Sequence, residues 1–221
     1  MSSRTRSGGI LRSLDKLGMT SKKMSTHTIF ALATPFAKSG VAVIRISGPR
    51  ALSALQTLTG KADWQPNRHP SSVIRHPSSH ESIDTGLILF FAAPKSFTGE
   101  DVAELQVHGS LAVIRELLEA LSEMEGLHPA EPGEFTRRAF LNGKMDLIQA
   151  EGLADVIDAE TPAQKTQSLR QMEGAMSGYY ESLRTRIIRA LALLEAYIDF
   201  PDEEIPEAVL GQVSEEVGAL K

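Results

Sequence analysis

The chain has 221 residues, with 23 Lys+Arg against 28 Asp+Glu, no cysteine, 42% apolar residues and 5% aromatics, a composition that suits an ordinary globular protein able to bury a core without staples. Without cysteine there is no disulfide framework, thiolate zinc site, iron–sulfur cluster or thiol nucleophile. Its longest apolar runs, 41–46 and 86–93, are of strand length, well short of the roughly 18–20 residues of a membrane span.

Charge is uneven. Residues 1–23 hold six bases (Arg4, Arg6, Arg12, Lys16, Lys22, Lys23) and one acid, Asp15, which predicts a disordered basic leader with Met24 as the natural start. A mitochondrial transit peptide is the alternative, although no clear amphipathic stripe supports it. The remainder is net acidic, so bulk attraction to nucleic acid is not expected of the folded part.

In chain order, 29–33 and 41–46 read as strands joined by a Pro/Gly-punctuated connection over 34–40. Ser47-Gly48-Pro49 then ends the strand and opens a helix over 50–58, with Ser47 as the cap and Pro49 in the first turn. Residues 60–82 are rich in Pro, His, Ser and Arg, and Arg-His-Pro-Ser-Ser occurs at 68–72 and again at 75–79, a local duplication inside a variable hairpin. Strands are expected at 85–91 and 102–107, a helix at 111–124 stopped by Gly126, and a short strand at 127–130.

From there the pattern is helical: 132–141, 145–159, and one long helix from about 162 to 198. In the last, Leu169, Met172, Met176, Tyr179, Leu183, Ile187, Ala190 and Leu194 recur in steps of three or four, an apolar stripe along ~50 Å at 1.5 Å per residue. Gly174 and Gly178 would share one face, allowing either close approach of another backbone or a kink. Residues 195–221 hold eight acids and one base.

No Gly-x-x-x-x-Gly-Lys-Ser/Thr, Gly-x-Gly-x-x-Gly, Gly-x-Ser-x-Gly or His-Glu-x-x-His pattern occurs. His69, His76 and His80 share the polar hairpin without an accompanying carboxylate pattern, which reads as a solvated loop rather than a metal site. His108, at a strand end before Gly109, is a better functional candidate. Val102, Glu104 and Gln106 share a face of their strand, placing a carboxylate among apolar neighbours. Such a group either pairs with a base or receives donors from a ligand.

Four stretches together resemble the MnmE (TrmE) family of tRNA-modifying GTPases. They are Arg45-Ile46-Ser47-Gly48; Ser96 through Glu104-Leu105-Gln106 with His108-Gly109; Pro132-Gly133-Glu134-Phe135 with Arg138-Ala139-Phe140-Leu141-Asn142-Gly143-Lys144; and Asp199-Phe200-Pro201-Asp202-Glu203-Glu204-Ile205. The resemblance implies an α+β fold: an N-terminal mixed-sheet domain over 24–142, akin to the tetrahydrofolate-binding domain of aminomethyltransferases, then a long-helix segment of a helical bundle over 143–221. In the family a GTPase domain is inserted downstream of the Asp-Phe-Pro-Asp-Glu-Glu segment. GTP, Mg and K would therefore be bound through that domain, which this chain is expected to lack, and the chain alone should not hydrolyse GTP.

The resemblance further implies binding of 5-formyl- or 5,10-methylene-tetrahydrofolate, homodimerisation through the N-terminal domain, and work with the flavoprotein MnmG (GidA) on the wobble uridine of tRNA, in the cytoplasm and without a membrane. The family's folate-contacting positions fall on Arg45, Glu104 and Lys144, with Gln106, His108, Arg138 and Asn142 as supporting residues; no catalytic residue and no metal ligand is expected. The residue types agree, because a carboxylate accepts the adjacent N–H donors of a pterin as a pair, and Arg or Lys suits the anionic glutamate tail. Two stretches depart from the family: Phe36-Ala37-Lys38-Ser39 stands where a Gly-rich loop is usual, and Val107-His108-Gly109-Ser110 replaces Gly-His-Gly-Gly. A folate-dependent aminomethyltransferase-like enzyme and a ligand-free dimerisation module are the competing readings.

Overall fold

The computed structural model describes residues 27–65, 70–174, 176–199 and 218. The basic leader, His69 and the acidic stretch from 200 to 217 lie outside the described residues. The chain divides between Lys144 and Met145 into two compact units.

In the first unit the period-two apolar segments form strands β1 (Thr28–Leu32), β2 (Ser39–Ser47), β3 (Ser71–Arg75), β4 (Ser82–Phe91), β5 (Val102–Gly109) and β6 (Leu127–Pro129). Helices α1 (Ala51–Thr59), α2 (Leu111–Ser122) and α3 (Glu134–Leu141) accompany them. The strands make one sheet of order β3-β4-β5-β2-β1-β6. All neighbours are antiparallel except β1 and β6, so the sheet is mixed and the class α+β, as expected.

Alternation along the strands separates two faces. Ile44, Ile46, Ile88, Phe90, Ala103, Leu105 and Val107 join the buried residues of α1 (Ala51, Ala54, Leu55, Leu58) and α2 (Ile114, Leu117, Ala120, Leu121) in one core. The intervening residues therefore point away from α1 and α2. In register across β4, β5 and β2 they form the rows Leu89–Glu104–Arg45 and Leu87–Gln106–Val43. This second face sets Glu104, Arg45 and Gln106 among apolar residues and is partly open, with Val73 and Leu87 each 37% exposed.

The expected capping of the first helix by Ser47 is incorrect. The helix opens at Ala51, two residues after Pro49, and Arg50 is its N-cap without a side-chain cap of its own. The Ser47 hydroxyl is instead committed to Thr98 and Glu100. The cap comes from β1: the Arg50 N–H donates to Thr28 Oγ1 at 2.8 Å. Local sequence carries no sign of a cap supplied from 22 residues upstream. The two copies of the duplicated pentapeptide also part ways, since Ser71 and Ser72 lie in β3 while Ser78 and Ser79 lie in the turn before β4.

The second unit contains α4 (Leu147–Asp158), α5 (Pro162–Met172) and α6 (Ser177–Asp199). Capping boxes open the first two, Asp146 with Gln149 and Thr161 with Gln164, each satisfying two otherwise orphaned N–H groups. The single helix expected over 162–198 does not form. It stops at Met172, where Gly174 takes φ +81° and the N–H groups of Glu173 and Gly174 close on the carbonyls of Leu169 and Gln171. Apolar spacing runs on through this break because periodicity does not register one left-handed residue, which glycine adopts without steric cost.

Of the two readings of Gly174 and Gly178, interruption of the helix holds at Gly174, and close approach falls elsewhere. A Cβ on Gly178 would meet open space, whereas one on Gly152 would come within 2.8 Å of the Met172 amide nitrogen. Along α6, Ala190 is buried but Tyr179, Ile187, Ile188 and Leu191 are exposed. No helix among the described residues is long and apolar enough to cross a membrane.

Replacing Thr28 by Val keeps its shape and removes the oxygen that caps α1. Urea unfolding should show a loss of about 1–2 kcal/mol; an unchanged transition would mean that the bond from Arg50 contributes nothing to stability.

Candidate functional site

Arg45 and Glu104 are directly opposite each other on β2 and β5. Arg45 donates from Nε at 2.8 Å and from Nη2 at 2.7 Å to the same Glu104 oxygen, Oε1. Both side chains remain partly accessible, at 28% and 16%. Of the two fates open to a carboxylate at this position, pairing with a base is realised. The guanidinium also lies 5.5 Å from the ring centre of Phe97 and 5.7 Å from that of Phe135, within cation–π range. Phe97 belongs to the loop between β4 and β5, Phe135 to the first turn of α3.

That loop is fixed by a polar network. Glu100 Oε2 accepts from the Ser47 hydroxyl at 2.8 Å and from Arg138 Nη1 at 3.0 Å. Because the single Ser47 proton goes to Glu100, the 2.7 Å contact between Ser47 and Thr98 is donated by Thr98. The Ser96 hydroxyl donates to the Glu100 carbonyl. Arg138, only 7% exposed, also donates from Nη1 to the His27 carbonyl at 2.9 Å and from Nη2 to Glu134 at 2.8 Å. Burial by itself would raise the Glu134 carboxyl, but the Glu131 N–H and Arg138 outweigh it and hold it below its ordinary value.

Lys144 and Asn142 meet the same loop from the end of α3. Asn142 Nδ2 donates to the Thr98 carbonyl at 2.8 Å, and Lys144 Nζ to the Pro94 carbonyl at 3.0 Å. Gly99 leaves room for them: a Cβ there would stand 3.2 Å from side-chain carbons of both. Arg45 and Glu104 thus touch each other, while Lys144, Asn142 and Arg138 converge on the loop that carries Phe97. Gln106 lies one row further along β5, with Val43 and Leu87.

His108 does not join them. It is four residues beyond Glu104, about 13 Å at strand rise, and its Nδ1 faces Asp84 at 2.8 Å. His76 stands 3.8 Å from Glu123, and no group of three metal-binding side chains occurs among the described residues. A separate groove on α5, lined by Pro162, Thr166, Gln167, Arg170 and Met176 among others, contains none of the candidate residues.

Sequence reasoning missed Phe97, Phe135, Thr98 and Glu100 and misplaced Ser47. The two phenylalanines stand inside motifs that were singled out, and their partner across the sheet, Arg45, was itself a candidate. What the sequence lacked was the register that brings the three together.

Comparison with known proteins gives a family model described as the GTP-binding protein TrmE N-terminus, which matches residues 28–144. A second, the MnmE helical domain, matches residues 147–221. Curated relatives named tRNA modification GTPase MnmE include one from Parvibaculum lavamentivorans, 53% identical over 195 residues, covering 88% of this chain and 44% of the relative. Another, from Rickettsia bellii, is 50% identical over 188 residues, covering 85% and 42%. A third, from Paramagnetospirillum magneticum, is 51% identical over 196 residues, covering 89% and 44%. The chain spans less than half the length of these relatives.

The Asp84–His108 contact sets a pH dependence. Burial would raise the Asp84 carboxyl, but the His108 main-chain N–H and ring and the Thr85 N–H together hold it below its ordinary value of 3.8. A depressed carboxylate stabilises the fold above its unfolded-state value, and that stabilisation is lost as pH falls through the folded-state value. The stability advantage of the unsubstituted chain over Asp84→Asn should accordingly be full at pH 6 and shrink below about pH 4. A difference that stays constant in urea unfolding from pH 6 to pH 3 would contradict this.

Proposed function

Because this chain belongs to the MnmE (TrmE) family of tRNA modification GTPases, we propose that it supplies the part of such an enzyme that binds a one-carbon tetrahydrofolate and dimerises. It would serve modification of the tRNA wobble uridine together with the flavoprotein MnmG (GidA), in the cytoplasm. The observation that carries the ligand reading is the Arg45–Glu104 row on the open sheet face, flanked by Phe97 and Phe135 and adjoined by apolar Leu87 and Leu89. A flat heterocycle with paired N–H donors finds there a carboxylate acceptor and aromatic faces. Arg45 and Lys144, the latter at the loop through the Pro94 carbonyl, offer cations to an anionic tail. The residues present fit 5-formyl- or 5,10-methylene-tetrahydrofolate, which would supply the one-carbon unit when bound.

Dimerisation is supported by the same face, whose exposed Val73 and Leu87 are the kind of apolar side chains that association buries. GTP, with its Mg and K, has no counterpart here, since this sequence carries no Gly-x-x-x-x-Gly-Lys-Ser/Thr loop. One observation favours a second reading, the ligand-free dimerisation module: Arg45 and Glu104 already pair with each other. The aminomethyltransferase-like reading is less well supported, because residues 147–221 match a helical domain instead of a second substrate domain.

Calorimetric titration with 5-formyltetrahydrofolate tests the proposal. The chain should bind it, and Glu104→Gln should weaken binding about tenfold or more, ~1.4 kcal/mol. Thermal stability should fall only slightly, since a partly exposed pair is worth about 1 kcal/mol or less. Absence of binding by the unsubstituted chain would favour the ligand-free module, and equal affinity of the two proteins would remove Glu104 from the site.

A further inference from the structure

We propose that Arg138 is a positioning residue for this site, acting through Glu100 and Ser47 to hold the loop that sets Phe97 against Arg45; the proposal rests on the ligand reading above. Arg138 is remote in role from any ligand. Its guanidinium is buried, and all three of its nitrogens are engaged by the partners named above, Glu100, Glu134 and the His27 carbonyl.

The two carboxylates it holds have different consequences. Glu134 is one turn earlier on α3 itself and also accepts from the Glu131 N–H just ahead of the helix, so that pair stiffens the start of α3 and does not touch the loop. Glu100 lies in the loop, 38 residues away in sequence, so that pair fastens α3 to the loop. Ser47 adds the third attachment, two residues after Arg45 on β2, donating to the same Glu100 oxygen at 2.8 Å. With Glu100 tied to α3 and β2 together, the segment 96–100 has its position set relative to both. Phe97 from the loop and Phe135 from α3 then arrive on Arg45 together, at 5.5 and 5.7 Å.

A guanidinium is suited to this, because its planar fork donates to separate acceptors at fixed angles, which an ammonium does not reproduce. The sequence couples the parts without revealing it: Arg138 sits in the run that ends Asn142-Gly143-Lys144, and Glu100 in the run that leads to Glu104.

The test compares Glu100→Gln with Glu134→Gln in the whole chain. Each removes one carboxylate charge from the same arginine, but only the first loosens the loop. Two quantities are read: affinity for 5-formyltetrahydrofolate by calorimetry, and hydrogen exchange of the amides at 96–101 without ligand. Glu100→Gln should weaken binding about tenfold and speed exchange in that segment, while Glu134→Gln leaves affinity within about twofold. In a Phe97→Ala background, Glu100→Gln should cost little further affinity, because the residue through which it acts is gone. Arg138→Lys, if it folds, should behave like Glu100→Gln.

Equal affinity losses for the two glutamine variants, or full additivity with Phe97→Ala, would reduce the network to general stability and overturn the proposal. Failure of the unsubstituted chain to bind the folate would overturn the ligand reading and this proposal with it. Exchange at 96–101 would still report whether Glu100 holds the loop.

Discussion

A buried guanidinium must be surrounded by acceptors, and in the first unit that requirement organises the end of the sheet where the candidate residues gather. Taking a charge out of water costs several kcal/mol unless hydrogen bonds replace the lost hydration, so Arg138 is stable where it is only because the chain ahead of β1, the loop after β4 and α3 itself all deliver oxygen to it. These segments are distant in sequence, and the sheet brings two of them close, since Ile29 of β1 and Val102 of β5 both pair with Ser47 of β2. Arg138 then ties the ends of those strands to α3.

The sheet does the complementary work. Its covered face is a conventional apolar core, closed by α1 and α2, and asks nothing of polar chemistry. The other face is where a carboxylate and a guanidinium are affordable, because water still reaches them. Strand register determines that Arg45 meets Glu104 and that Leu89 completes their row; a slip of one residue in either strand would turn that strand's charge into the core and leave the other without its partner. The pair is thus a statement about register as much as about recognition.

Much of this was legible before the structure. The strands over 29–33, 41–46, 85–91 and 102–107 follow from apolar runs between turn residues, and each appears within a few residues of its expected bounds. The α+β class and the family motifs were readable for the same reason, since local pattern and short spacing carry them. What failed was whatever depends on contacts distant in sequence or on one dihedral angle. Ser47 has the chemistry of a cap and the position of one, yet a neighbouring strand's Thr28 takes that role and frees Ser47 for Glu100. The stripe from Leu169 to Leu194 has helical spacing throughout, and one glycine at positive φ interrupts it. The capping boxes at Asp146 and Thr161, each with a glutamine three residues on, are by contrast a signal that the local sequence carries in full.

The hairpin of β3 and β4 shows the same pentapeptide in two roles, its last two serines extended in a strand in one copy and turning in the other. Identity of sequence there does not enforce identity of conformation, so the tip takes its shape from the strands beneath it. Lengthening such a connection adds only a logarithmic entropy of closure. Residues added in the turn over 77–79 lengthen the tip and leave the paired residues of β3 and β4 in place, and Glu104 and Arg45 lie on the strands beyond them. That turn is accordingly a natural position for a genetic insertion or a fluorescent reporter.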